Sequence, residues 1–236
     1  MKLNLGCDLD YRKDWINLDN YEGRADVVHD LNIFPYPFED NVFEYIYASH
    51  VVEHLEDVPR VLKELWRISK EGGVIEIKVP YYNNYNAFRD VTHIRYFTWD
   101  SFSPMALGKS REKGHEIGYM GKLFSYIERG LVWATSTKPI VKPIANFMNW
   151  IVNISPSFLE KRIPYIITCE SLHVKLRVDK KGVSKTSAEQ KSLTDQRIAS
   201  LLKKSSEKYP GKVMNVEKWK KKRKKVLGEK GKNWTK

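Results

Sequence analysis

The run Lys2-Leu3-Asn4-Leu5-Gly6-Cys7-Asp8, followed by Trp15-Ile16-Asn17-Leu18-Asp19, constrains this chain more than any other stretch. It reads as a short buried strand, a turn permitted by glycine, a connection, and a second apolar run ending in a carboxylate. Glycine at a strand end lets a ligand approach the backbone closely, because no side chain stands in the way. A carboxylate at the tip of the next strand can accept hydrogen bonds from the two hydroxyls of a ribose. Doubly wound α/β folds hold nucleoside ligands in this way. The spacing from Gly6 to Asp19 is shorter than the dinucleotide fingerprint, and only one of its three glycines is present, so a nicotinamide dinucleotide fits poorly.

The rest of the chain continues the alternation. Strands are expected at about Lys2–Leu5 and Trp15–Asp19. A third apolar segment runs over Val27–Leu31, and a fourth over Phe43–Ser49 after a turn at Glu39-Asp40-Asn41. Residues 51–69 carry Val51, Val52, Leu55, Val58, Val61, Leu62, Leu65 and Ile68, the spacing of a helix with one buried face. Pro59 suits a first helical turn, Gly72-Gly73 is expected to end the helix, and Val74–Val79 alternates as a strand does. Strands alternating with helices predict a mainly parallel sheet covered on both faces. Tyr81–Asp100 reads as a loop over the site, and Phe124–Trp133 and Ser171–Val178 as two later strands. Between those strands, Pro139–Phe158 is an apolar, partly helical insertion.

Several motifs occur together and in order: Gly6 with Asp19, then His29-Asp30-Leu31, then Phe34-Pro35-Tyr36-Pro37-Phe38 through Val42-Phe43-Glu44 to Glu53-His54-Leu55, and Glu71-Gly72-Gly73 before a strand. In this they resemble class I S-adenosylmethionine-dependent methyltransferases, of the methyltransferase type 11 kind, over roughly the first half of the chain. The resemblance implies a Rossmann-like α/β fold: a seven-stranded, mainly parallel sheet flanked by helices, with an antiparallel C-terminal hairpin. It further implies a cofactor, S-adenosylmethionine, and a methyl acceptor that the sequence does not identify. Carried over to this chain, Asn4, Gly6 and Cys7 lie in the first cofactor loop, Asp19 holds the ribose, Asp30 and Leu31 reach the adenine, and Ser49 and His50 lie beside the methionine part. The family usually has an acidic residue where Asn4 stands and glycines where Asp8 and Asp10 stand, and this chain departs at all three.

Asp90-Val91-Thr92-His93-Ile94-Arg95-Tyr96-Phe97-Thr98 is similar to a D-x-T-H-x-R-x-F-T segment found in a subset of these enzymes. His93 with Asp90 is the candidate catalytic pair, as general base or substrate clamp. The plainer alternative is that Asp90 and Thr92 make local backbone hydrogen bonds and His93 is packed. Glu53 and His54 fall where a helix dipole alone would explain an acid. No nucleophile elbow, phosphate-binding P-loop or metal-ligand cluster is read from the spacing. His50 and His54 flank Glu53 without the HExxH pattern of zinc enzymes.

Charge divides the chain in two. The net +12 arises wholly beyond residue 178, where 19 Lys/Arg face 6 Asp/Glu, so the expected organisation is a methyltransferase domain over 1–178, with the insertion at 139–162, and a basic tail over 179–236. Such a tail can attract nucleic acid or an anionic surface, which opens two alternatives to the leading reading: a nucleic-acid-binding protein on a degenerate core, or a methyltransferase working on saccharide or lipid-linked acceptors at a membrane. The insertion could equally cover the active site or form a dimer contact. Two cysteines, a first strand at the N-terminus and the lack of a long apolar run lead us to expect a cytoplasmic protein without a transmembrane segment.

Overall fold

The computed structural model describes residues 1–107, 122–135 and 138–180. The sequence expectations for 181–236, including the partners assigned to the basic tail, lie outside those residues.

Seven strands form one sheet: β1 (Lys2–Leu5), β2 (Ile16–Asp19), β3 (Val27–Val28), β4 (Phe43–Ser49), β5 (Ser69–Pro80), β6 (Phe124–Val132) and β7 (Ser171–Val178). Their order is β3-β2-β1-β4-β5-β7-β6, with the first five parallel and β7 antiparallel to both β5 and β6. This is the Rossmann-like sheet with the antiparallel C-terminal pair that the motifs imply. The strand order reverses between β1 and β4, so the loops after those strands diverge and leave a crevice at their carboxyl ends.

Helix α1 (Val58–Ile68) crosses between β4 and β5. Asp57 caps it, its carboxylate accepting from Arg60 N at 3.0 Å, and Pro59 occupies the first turn, where its missing N–H costs nothing. Its inward side (Val61, Leu62, Leu65 and Ile68) packs with Leu3, Leu5, Ile46, Ile75, Ile77 and Val174 in one core. The residues just before it, Val52–His54, form a separate 3-10 turn, so the run expected as one helix over 51–69 is broken at Leu55–Asp57. The helix also ends at Ile68, ahead of Gly72-Gly73. Those glycines instead sit in an irregular start to β5, where Phe43 pairs with Ser69 but Tyr45 pairs with Val74. Gly72 has φ +71°, a backbone turn that a side chain would strain.

Helices flank the sheet as expected, but among the described residues they do not supply the connections at its β1–β3 end. The connection 6–15 between β1 and β2 and the connection 20–26 between β2 and β3 contain no helix. Ten and seven residues must run back along a four-residue strand, which leaves too little chain for a crossover helix. The loop 6–15 therefore lies on the sheet itself, tied down by Asn17. The Asn17 amide donates to Arg12 O at 2.9 Å and Asp26 Oδ2 at 3.1 Å, and its carbonyl accepts from Arg12 N at 2.9 Å and Asn4 Nδ2 at 3.1 Å.

The segment 81–107 contributes two short helices, α2 (Asn86–Arg89) and α3 (Ser103–Leu107). The insertion forms α4 (Lys142–Ile154) and α5 (Pro156–Arg162), which enter the core through Val152 and Leu159. Glu160 of α5 accepts from Tyr81 Oη at 2.7 Å and from Trp99 N at 2.6 Å, joining the insertion to the 81–100 segment.

Candidate functional site

At the carboxyl ends of β1, β2 and β3 lies a cavity of about 230 Å³, lined by Gly6, Asp19, Asn20, His29, Asp30, Leu31, Asn32, Val51, His54 and Leu55. Gly6 has φ +63°, and a Cβ there would stand 2.4 Å from Val51 Cγ2. The glycine therefore lets the β1 turn close against the segment following β4, a contact that any side chain would prevent.

Asp19 reaches the cavity from the tip of β2. Its two oxygens accept from Asp8 N at 2.9 Å and Tyr21 N at 3.1 Å, so the carboxylate also fixes the loops on either side of it. Each carboxylate oxygen has two lone pairs, so this leaves acceptor capacity. Asp30 holds its own loop through Asn32 N (2.9 Å), and Leu31 is buried beside it. The His29 ring lies 2.8 Å from the Ile33 carbonyl, which only accepts, so Nε2 carries the proton. Burial pushes the His29 pKa down, partly offset by that carbonyl. The cavity is thus rich in acceptors and apolar at Leu31, Val51 and Leu55, a set that suits the hydroxyls, exocyclic amine and flat base of an adenosine.

Gly6, Asp19, Asp30 and Leu31 therefore meet in one cavity. Asn4, Cys7, Ser49 and His50 are not among its lining residues. Asn4 is buried in the sheet, its amide donating to Asp10 O and to Asn17. Cys7 is buried against Arg24 O, and burial together with Asp19 pushes its thiol pKa up to about 11, so it stays protonated at neutral pH. His50 has φ +54°, a strained backbone for a non-glycine residue, and directs Nδ1 to Glu53 Oε1 at 3.2 Å.

The segment after β5 folds back onto the 3-10 turn. Ile94 N and Arg95 N both donate to Glu53 O, at 3.0 and 3.1 Å, and the Arg95 guanidinium donates to Glu56 O. These bonds bring His93 beside Glu53, and the His93 and His54 rings meet edge to face with centroids 4.7 Å apart. Asp90 makes the local turn expected of it. Its Oδ1 accepts from Thr92 N (2.9 Å) and Thr92 Oγ1 (2.7 Å), bonds that hold its carboxyl below the usual carboxylate range. Thr92 Oγ1 in turn lies 2.9 Å from His54 Nδ1. Asp90 therefore acts on the cluster through Thr92 and His54, and is itself exposed.

Sequence reasoning singled out neither Asn20, His29, Asn32 nor Val51, and left Glu53 and His54 with an equal case for a purely structural role. Glu53 and His93 lie 40 residues apart, and no spacing rule links them. The one local sign is the short Asp90–Thr92 turn, which points His93 inward.

Residues 6–77 match the family of methyltransferase domains. No curated protein matches the chain. Among solved structures, an S-adenosylmethionine-dependent methyltransferase from Archaeoglobus fulgidus is similar at 17% identity and TM-score 0.48, over 75% of this chain and 85% of that one. The YcgJ protein from Bacillus subtilis is similar at 16% identity and TM-score 0.47, over 77% and 92%. An S-adenosylmethionine-dependent methyltransferase from Mesorhizobium loti shares 14% identity at TM-score 0.40, over 75% and 90%.

Proposed function

We propose that this chain, whose residues 6–77 match the family of methyltransferase domains, binds S-adenosylmethionine at the ends of β1–β3 and methylates an acceptor presented under the 81–98 segment. The observation that carries the reading is the acceptor-rich cavity in which Gly6, Asp19, Asp30 and Leu31 converge. When bound, the cofactor supplies a methyl group already activated on a sulfonium. The protein is left to align the partners and exclude water. Asp19 accepts from the ribose hydroxyls while holding Asp8 N and Tyr21 N. Asp30 accepts from the adenine amine, and Leu31 with Val51 and Leu55 covers the base. His93, held by Ala87 O through Nδ1 (3.1 Å), turns Nε2 toward Glu53 and is the group placed to orient an acceptor or take its proton.

Calorimetric titration with S-adenosylmethionine and S-adenosylhomocysteine tests this. Asp19→Asn keeps an acceptor for only one of the two loop N–H groups and removes the charge, and in a variant shown to be folded should weaken binding by at least about tenfold, the scale of a lost charged hydrogen bond. A folded wild-type protein that binds neither compound would refute the cofactor reading.

A second feature favours an acceptor at a membrane surface. Ile144, Phe147, Trp150 and Ile154 of α4 fall on one helix side and are each more than half exposed, as is Phe158 of α5. Lys142, Lys161 and Arg162 flank it. Exposed apolar area of this kind beside basic groups is suited to lie at a lipid interface. No helix among the described residues is long and apolar enough to cross a membrane. Co-sedimentation with phosphatidylserine vesicles should be lost in Phe147→Glu. Binding that survives this change, or no binding by the wild type, would discard the membrane reading.

A further inference from the structure

Beside the cofactor cavity lies a set of groups that cofactor binding does not require. Glu53 is 1% exposed, and its Oε2 is buried with no hydrogen-bond partner. A buried carboxylate oxygen left bare is costly, because desolvation is not repaid. One ligand-capable atom from each of Glu53, His54 and His93 lies within 4.8 Å of the other two. Around an ion bonded at about 2.0 Å, neighbouring donor atoms stand roughly 3 Å apart, so a shift of about an ångström or less per group would close the set.

The hydrogen bonds of the two imidazoles fix which nitrogen of each keeps a free lone pair. His93 Nδ1 lies 3.1 Å from Ala87 O, and a carbonyl only accepts, so Nδ1 bears the proton. Its Nε2 lies 4.0 Å from Glu53 Oε1. His54 Nδ1 faces Thr92 O at 3.3 Å and Thr92 Oγ1 at 2.9 Å, and the Thr92 hydroxyl proton is directed to Asp90. His54 Nδ1 therefore also donates, leaving Nε2 with its lone pair. Two histidines, each donating its remote N–H to a carbonyl, together with a carboxylate, make the donor set and outer hydrogen bonds of a metal centre.

We propose that Glu53, His54 and His93 bind one divalent first-row transition metal ion of the Zn²⁺ class, with Asp90 and Thr92 orienting His54 and with His50 supporting Glu53. Three protein donors leave coordination positions open. His54 lines the cofactor cavity as well, so those positions lie next to it. On the methyl-transfer reading, on which this last step rests, an ion here would bind and polarise an acceptor hydroxyl, with His93 Nε2 holding the ion instead of taking the acceptor's proton. The metal site itself stands independently of that reading.

The test uses the untagged full chain, stripped with chelator and titrated with Co²⁺ in the absence of any cofactor. Visible ligand-field absorption should saturate at one equivalent and disappear on addition of Zn²⁺. Glu53→Gln, which keeps the side chain's shape, and His93→Ala should each weaken Co²⁺ binding at least about tenfold. Asp90→Asn, outside the donor set, should weaken it less. Circular dichroism and thermal melts establish that each variant is folded, and His54→Ala, at the more accessible ligand, serves if the buried changes unfold the chain. Absence of a stoichiometric Co²⁺ site, or affinity unchanged in folded ligand variants, would overturn the proposal. Binding of S-adenosylmethionine is scored separately, so failure of the metal site and failure of the cofactor reading are distinguishable.

Discussion

The two faces of the central sheet solve the same burial problem by different means. On one face Leu3, Leu5, Ile46, Ile75, Ile77 and Val174 are almost fully buried under α1 and the later helices. On the other, the same strands present Lys2, Asn4, Asn17, Tyr45, Tyr47, Glu76, Lys78 and His173, following the alternation of the pleat. Tyr47 is buried there outside the main core, beneath the Arg12 guanidinium, which sits 3.7 Å from its ring centroid. Tyr45 donates to Glu76 across the β4–β5 pair. The apolar face rests on area removed from water, which has no preferred direction. The polar face rests on directional bonds and on charges laid over aromatic rings, each worth less, and together they hold a loop where a helix would otherwise pack.

Substitutions chosen on each face would break or sharpen this contrast. The largest effect is expected on the apolar face: Ile46→Ala, at a position with no exposure, should cost about 2–5 kcal/mol in denaturant unfolding. A loss within the range of a surface change would show that the core is not continuous there. On the polar face, Asn17→Ala removes five side-chain hydrogen bonds from a buried position and should cost about 1–3 kcal/mol. It should also raise hydrogen exchange in the 8–15 loop ahead of the sheet. Uniform exchange across both would contradict the idea that Asn17 pins that loop.

The smallest effect is one of pH. Burial, followed by the nearby Lys78, pushes the His173 pKa down to about 4 from 6.5. The unfolded chain therefore takes up this proton first as the pH falls. The stability this neutral ring contributes is complete above about pH 6.5, declines as the pH drops toward 4, and changes no further below that. His173→Gln, measured by thermal melts across that window, should flatten the decline. A slope identical to wild type would assign the acid sensitivity to other groups.

Local chemistry made much of this legible beforehand. The strand runs of β1, β4 and β7 and the proline-started helix α1 follow from period-two or helical patterning, whereas the meeting of Gly6, Asp19, Asp30 and Leu31 was expected from the family resemblance. What was misread has a common cause. Asp8 has a φ of +34°, a backbone conformation that favours glycine, while its carboxylate pairs with Arg24 at 3.0 Å. Nothing in the residue type announces this. Gly72-Gly73 was read as a helix stop, when its positive φ serves a bulge whose partner, Phe43, is distant in sequence.

The sequence by itself determined which segments become strands, which face of each is apolar, and which carboxylates stand at strand tips, because those follow from alternation and chain direction alone. Only the tertiary structure decided that the second face would be covered by a loop, that α4 would turn an apolar stripe outward, and that Glu53 would meet His54 and His93. Those outcomes depend on how far a short connection can reach and on where a later segment folds back. Pairings across 40 residues are set by packing, and neighbouring residues carry no record of them.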